Sequence, residues 1–320
     1  MKVGAFAVLL SGRPFEEALD HLKALGLGAV EIGTGGYVGD AHAKPTELMA
    51  DPDRLVAFQR AIEARGLQIS ALSCHGNALH PQAAIAARHH QQFRDTVLLA
   101  ERLGVDRVVT FSGCPGDSDG ATHPNWVTCP WPDDFTQIVR WQWEEKVIPY
   151  WQEQATFCQA HGVRIAIEMH PGFVVYNAAT LLRLRAAAGD TIGANYDPSH
   201  LFWQGADPIE VVRALGPAIL HVHAKDTAID PHNARRDGVL DTKPYADEAQ
   251  RSWIFRTVGY GHGATFWKEL VSALRLVGYD HVVSIEHEDS LMSAREGLAK
   301  AAQLLKDAVI EEPVDAMWWA

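Results

Sequence analysis

The sequence predicts an α/β fold, a single (β/α)8 TIM barrel over residues 1–320 with long loops after strands 4 and 7, and three observations lead there. Short β-prone runs alternate with helical stretches eight times along the chain. No linker-like or low-complexity stretch interrupts the 320 residues. Four runs in the C-terminal half each end in a metal-type ligand: Ile165-Ala166-Ile167-Glu168, Ala194-Asn195-Tyr196-Asp197, Leu220-His221-Val222-His223 and Val283-Ser284-Ile285-Glu286. Ligands at the C-terminal ends of successive parallel strands face one mouth in such a barrel. An open doubly wound sheet competes, but no GxGxxG turn follows the first strand.

Taken in order, strands are expected at 3–10, 28–33, 68–75, 106–112, 163–169, 192–197, 218–224 and 281–287. Helices are expected at 15–26, 52–66, 86–104, 135–161, 178–188, 207–216, 264–278 and 294–309. Gly66, Gly104, Gly162, Gly189 and Gly216 fall near helix ends, where a left-handed residue stops a helix cheaply. Val30-Glu31-Ile32 and Val108-Val109-Thr110-Phe111 are β-branched runs of the kind buried in parallel sheets. Met1 to Leu10 is apolar after one lysine, but an amphipathic helix follows, so it reads as a first barrel strand and not a signal peptide. No stretch reaches the roughly 18–20 apolar residues a membrane span requires.

Two connections are long, 113–134 and 226–263, and both follow strands, which puts them on the catalytic face as walls or lids. The first carries Trp126 and Trp131; the second carries Trp253 and Gly259-Tyr260-Gly261-His262-Gly263. The tail with Met317-Trp318-Trp319 is apolar and suits packing on a barrel helix or on a second copy in a homo-oligomer.

Bulk composition narrows the function. A hydrophobic fraction of 47% against 21% charged residues supplies a sizeable core. The net charge of −12 gives a nucleic acid an unfavourable mean field, and no basic stripe compensates it. Four cysteines without CxxC spacing suit a reducing cytoplasm and argue against a zinc–thiolate site.

Three carboxylates and one imidazole make an oxygen-rich site for one divalent ion, with Glu168, Asp197, His223 and Glu286 as the metal ligands. A lone buried charge is expensive, so Glu168 at a strand end points to function. Asp197 before Pro198 also suits an Asx turn, yet His200 three residues on returns toward the same place. Strand alternation puts His221, His223 and Lys225 on one face; His223 lies nearer the strand end, and His221 reads as a deeper core or supporting histidine. Lys225 and Asp226 pair with each other or meet substrate. His75 closes the third strand, within reach of substrate or as a satisfied polar strand end, whereas Glu31 reads as structural. Arg256 and the glycines at 259–263 can grip a substrate oxygen or simply form a turn.

The string Glu168, Asp197-Pro198-Ser199-His200, His223-Ala224-Lys225-Asp226, Gly259-Tyr260-Gly261 and Ile285-Glu286 resembles the xylose isomerase-like TIM-barrel superfamily. That group includes ketose 3-epimerases, hydroxypyruvate isomerase, inosose dehydratase and endonuclease IV-type repair enzymes. The resemblance covers essentially the whole chain and implies the four ligands above, with His200 and Arg256 on substrate. It departs from the repair endonucleases, because Phe111-Ser112-Gly113 stands where they carry a zinc histidine. The expected activity is that of a metal-dependent isomerase or epimerase of a keto sugar or related polyol, with Glu168 and Glu286 as the catalytic proton carriers. Mn²⁺ leads as the cofactor; Mg²⁺, Co²⁺ and Zn²⁺ also fit the donors. The rivals are a lyase or dehydratase on an inosose or 3-keto-glycoside, a metal-dependent endonuclease, and a non-catalytic sugar-binding barrel.

Overall fold

A computed structural model describes residues 1–313 and 315–319. Eight parallel strands close into a barrel: β1 (Lys2–Phe6), β2 (Ala29–Gly36), β3 (Gln68–His75), β4 (Arg107–Phe111), β5 (Arg164–Glu168), β6 (Ile192–Tyr196), β7 (Ile219–Ala224) and β10 (Val282–Ile285). Around the barrel the order runs β1-β2-β3-β4-β5-β6-β7-β10 and returns to β1. A separate antiparallel pair, β8 (Asp226–Ile229) and β9 (Trp253–Arg256), rises from the end of β7 inside the long 226–263 connection.

The expected strands appear, with shifted ends. The first stops at Phe6, and Ala7–Leu10 turns into a 3-10 helix, because its apolar residues fold back onto the core instead of continuing the ladder. The second runs on to Gly36 through two register shifts against β3. The expected helix at 135–161 begins at Asp133 and contains a π-type stretch over Gln142–Val147. Short helices at Pro45–Ala50, Ser199–Gln204 and Pro231–Asp237 have no counterpart among the expectations.

Local chemistry sets the helix ends. Asp51 accepts from the N–H groups of Asp53 and Arg54 ahead of Pro52–Glu63, Asp207 does the same for Pro208–Leu215, and Asn177 with Thr180 forms a capping box for Ala178–Ala188. Gly104 ends Ala83–Leu103 in the left-handed region at φ 67°. The main apolar cluster lies between the strands and their covering helices, joining Ile32, Leu72, Val108, Ile165 and Val222 to Leu19, Trp151 and Trp267. Met317, Trp318 and Trp319 stand exposed instead of packing on a barrel helix. No helix among the described residues is long and apolar enough to cross a membrane.

Candidate metal centre

Register brings the four expected ligands to one height. Glu168 pairs with Asn195, His223 pairs with Ser284, and the Glu286 N–H donates to the Ala224 carbonyl at 3.1 Å. The ligand atoms of Glu168, Asp197, His223 and Glu286 all lie within 4.8 Å of one another at the barrel mouth. Three of these residues are essentially shut off from solvent, and Glu286 keeps a little exposure.

Each side chain is held from behind. Glu168 Oε2 lies 2.9 Å from His75 Nε2 and accepts from Asn195 Nδ2 at 3.0 Å. Asp197 Oδ1 accepts the Ser199 N–H at 2.8 Å, an Asx turn that aims Oδ2 at the mouth. His223 Nε2 meets Glu31 Oε1 at 2.9 Å, leaving Nδ1 to face Glu286 Oε2 at 2.9 Å and Glu168 Oε2 at 3.4 Å. Lys225 places its ammonium 3.3 Å from Glu286, 2.6 Å from Glu288 and 4.3 Å above the Phe255 ring.

Asp197 Oδ2, His223 Nδ1 and Glu286 Oε2 are buried polar atoms with no aligned hydrogen-bond partner. Native interiors seldom leave such atoms unsatisfied. Three of them meeting one another, with the Glu168 carboxylate, is what a hard divalent cation satisfies, so the residues fit the implied ion. Zinc, magnesium and manganese all accept this donor set.

The electrostatics follow from the packing. Burial opposes the Glu168 charge, but His75, His200 and His223 outweigh it and hold the carboxyl well below its ordinary range. Burial also opposes the Glu286 charge, and Lys225 with His223 brings that carboxyl to about 2. Asp197 goes the other way, raised by burial despite His200 and Lys225. His223 is raised well above the imidazole range because Glu31 and Glu286 overcome its burial. Ligating a metal requires a bare Nδ1, so a metal bound here would displace a proton.

Of the expected substrate residues, His75 is bound to Glu168, and His200 Nε2 lies 3.3 Å from Asp197 and 3.5 Å from Glu168. Arg256 differs. Its Nε sits 3.2 Å from Asp289 and its guanidinium 5.6 Å over Tyr260, so its contacts are to these and to none of the four ligands. Lys225 and Asp226 do not pair: Lys225 turns to the glutamates, and Asp226 accepts the N–H groups of Gly259, Gly261 and His262.

Three contributors escaped the sequence reading. Glu31 is fully buried and gathers Ser73 Oγ at 2.5 Å, Ser284 Oγ at 2.6 Å, and both His221 and His223. Asn195 lies two residues before Asp197, so strand alternation could have placed it beside the site. His170 follows β5 with its ring 4.1 Å from that of His200, and burial together with the His200 charge lowers it to about 3, leaving a neutral imidazole.

The chain is 38% identical over 312 residues to the uncharacterized protein YfiH of Bacillus subtilis (strain 168), covering 97% of this chain and 99% of that one. It is 24% identical over 278 residues to the rhizopine catabolism protein MocC of Rhizobium meliloti, covering 86% and 75%. The solved IOLI protein with a bound zinc atom superposes with a TM-score of 0.65 at 19% identity, covering 97% and 98%. Other solved barrels of this fold are described as an L-ribulose 3-epimerase and as a probable 3-DHS dehydratase. The family model for the xylose isomerase-like TIM barrel matches residues 19–308, and the chain belongs to that family.

Proposed function

We propose that this barrel is a divalent-metal-dependent isomerase or epimerase that enolises a keto sugar or related polyol. The observation that carries the reading is the pair of ionised glutamates, Glu168 on β5 and Glu286 after β10, converging on one ligand set from strands separated by β6 and β7. A divalent ion in that set supplies Lewis acidity to the carbonyl and neighbouring hydroxyl of a hydroxy-ketone. One glutamate removes a proton from the carbon beside the carbonyl, and the other returns a proton to the opposite face. His75 and Asn195 fix the Glu168 carboxylate in one orientation. His200 stands beside Glu168 and Asp197 as a hydrogen-bonding group for a substrate oxygen. The Lys225 ammonium offsets negative charge that develops at this end of the mouth. Mn²⁺ is our first choice of ion, with Zn²⁺ supported by the zinc-bound IOLI barrel.

Dehydratases share this fold, which favours elimination as the second reading. The same proton abstraction, with a leaving group β to the carbonyl, yields an enone in place of an epimer.

The test is incubation of Mn²⁺- or Zn²⁺-loaded protein in D₂O with D-fructose, D-tagatose, L-ribulose and an inosose, followed by NMR. Deuterium entering at the carbon beside the carbonyl, with epimer formation, is expected. An unsaturated ketone identifies the lyase. Conversion without exchange, or no reaction with any of the four, overturns the two-glutamate reading.

A further inference from the structure

Beside the four residues at the mouth lies a second group of donors that the proposed proton chemistry does not account for. One ligand atom each of Glu168, His170 and His200 falls within 4.8 Å of the other two. Two of these three side chains are imidazoles, whereas the set at the mouth has three carboxylates to one imidazole. The two groups meet at Glu168. Its Oε2 lies 3.4 Å from His223 Nδ1, and its Oε1 lies 3.5 Å from His200 Nε2. One carboxylate thus turns an oxygen toward each group.

Both imidazoles are prepared as ligands. His170 Nδ1 lies 2.6 Å from the Pro171 carbonyl oxygen, which only accepts, so in the neutral ring the proton sits on Nδ1 and Nε2 keeps its lone pair. A hydrogen bond that fixes one ring nitrogen in this way orients the other toward a metal. His200 lines the cavity beside the mouth, but its Nε2 turns inward to the Asp197 and Glu168 carboxylates at 3.3 and 3.5 Å. That nitrogen is shut off from solvent and has no aligned hydrogen-bond partner among the described residues. An N–H there would make a poor bond to either carboxylate. No group the size of a water molecule reaches it, so a substrate hydroxyl does not satisfy it, whereas a bare cation seated among the three side chains does. Two imidazoles and one carboxylate are the donors of a zinc site with an open fourth position, and a nitrogen-rich set favours zinc over magnesium.

We propose that Glu168, His170 and His200 hold a second, weaker zinc ion, which shares the Glu168 carboxylate with the ion at the mouth. The charge of the first ion opposes the second, which binds about a hundredfold more weakly. Its effect on turnover rests on the reading of Glu168 as a proton carrier: a zinc ion on that carboxylate and on His200 inhibits. Its presence does not depend on that reading and is measurable without turnover.

The test is equilibrium dialysis of chelator-stripped protein against Zn²⁺, with metal counted per chain. Two equivalents are expected in the parent. The weaker is lost in His170→Phe, which keeps a ring against Phe111 and His200 but has no lone pair, while the tighter binds as in the parent. Against Mg²⁺ the parent should take up no second equivalent. Anomalous scattering at the zinc edge, from crystals soaked in Zn²⁺, should place the weaker ion on Glu168, His170 and His200. A single equivalent of zinc in the parent overturns the site. So does a second equivalent that survives in His170→Phe whose melting shows it folded, an equal second uptake of Mg²⁺, or a weaker ion found on other residues. Failure of every sugar to exchange deuterium leaves the zinc count unchanged, so the two readings fail separately.

Discussion

Glu31 and His223 lie 192 positions apart in sequence and meet at 2.9 Å beneath the barrel mouth. The Glu31 carboxylate accepts at His223 Nε2, which sets the tautomer and turns Nδ1 toward Glu168 and Glu286. Such a carboxylate–histidine pair orients a metal ligand and raises its basicity. Ser73, Ser284 and His221 surround the same carboxylate, so it has little freedom to rotate.

Glu31→Gln therefore weakens metal binding without touching a ligand. Its amide –NH₂ faces donors in place of an acceptor, and outer-shell changes of this kind typically cost about 10–100-fold in metal affinity. Competition with a chelating dye reads the constant directly. Parent-like affinity in a folded Glu31→Gln protein refutes the positioning role.

Loading with Mn²⁺ or Zn²⁺ should raise the melting temperature, because the ion binds the native cluster and satisfies three buried unpartnered atoms. At a free metal concentration 100 times Kd the gain is about 2.7 kcal/mol. Scanning calorimetry before and after chelator treatment checks it, with Asp197→Ala as the variant in which the gain should disappear.

Glu168→Gln and Glu286→Gln each remove a base and keep a side-chain oxygen. Turnover should fall by about 10²–10⁴-fold in each. Metal content measured on the same samples separates lost proton transfer from lost metal. Undiminished rates in both fully loaded variants rule out the mechanism.

Stability should decline on mild acidification through a group at the foot of the barrel. Burial lowers His281, with Arg107 adding to the effect, to about 4, and its Nε2 lies 3.1 Å from the Ser70 carbonyl oxygen. The unfolded chain takes up this proton near 6.5 and the folded protein only near 4, so the stabilisation is complete above 6.5 and is lost as pH falls through that window. His281→Gln can keep a hydrogen bond to Ser70 but does not titrate. Denaturant midpoints for parent and variant should approach one another between pH 6.5 and 4; a constant gap disproves the assignment.

The four residues that meet at the barrel mouth were legible in the sequence because each closes a β-prone run, and one carboxylate or imidazole at a strand end is a local signal. Alternation also placed His223 nearer the mouth than His221, and only His223 joins the four-residue group. Glu31 was not legible: Val30-Glu31-Ile32 gives its inward register, but the two histidines that occupy it arrive from β7, and no local pattern announces a partner that far along the chain. The β8–β9 pair escaped for another reason. Its strands are four residues each, and β8 follows β7 after only Lys225, so a change of sheet looked like a continuing loop. The helices at 45–50, 199–204 and 231–237 span six or seven residues, too few turns to show a period.

Asp226 ties that hairpin to the glycine-rich turn beyond it, accepting the N–H groups of Gly259, Gly261 and His262 and lying 2.8 Å from His262 Nδ1. The fit is tight enough that a Cβ on Gly261 would collide with the Thr227 carbonyl oxygen. Segment 226–263 is thus held from within by the Asp226 carboxylate and from outside by Asp289, which accepts the Thr257 N–H, and none of the four residues gathered at the mouth belongs to it. A change at Tyr245 or Trp253 would re-line the space beside the four residues at the mouth without replacing any of them.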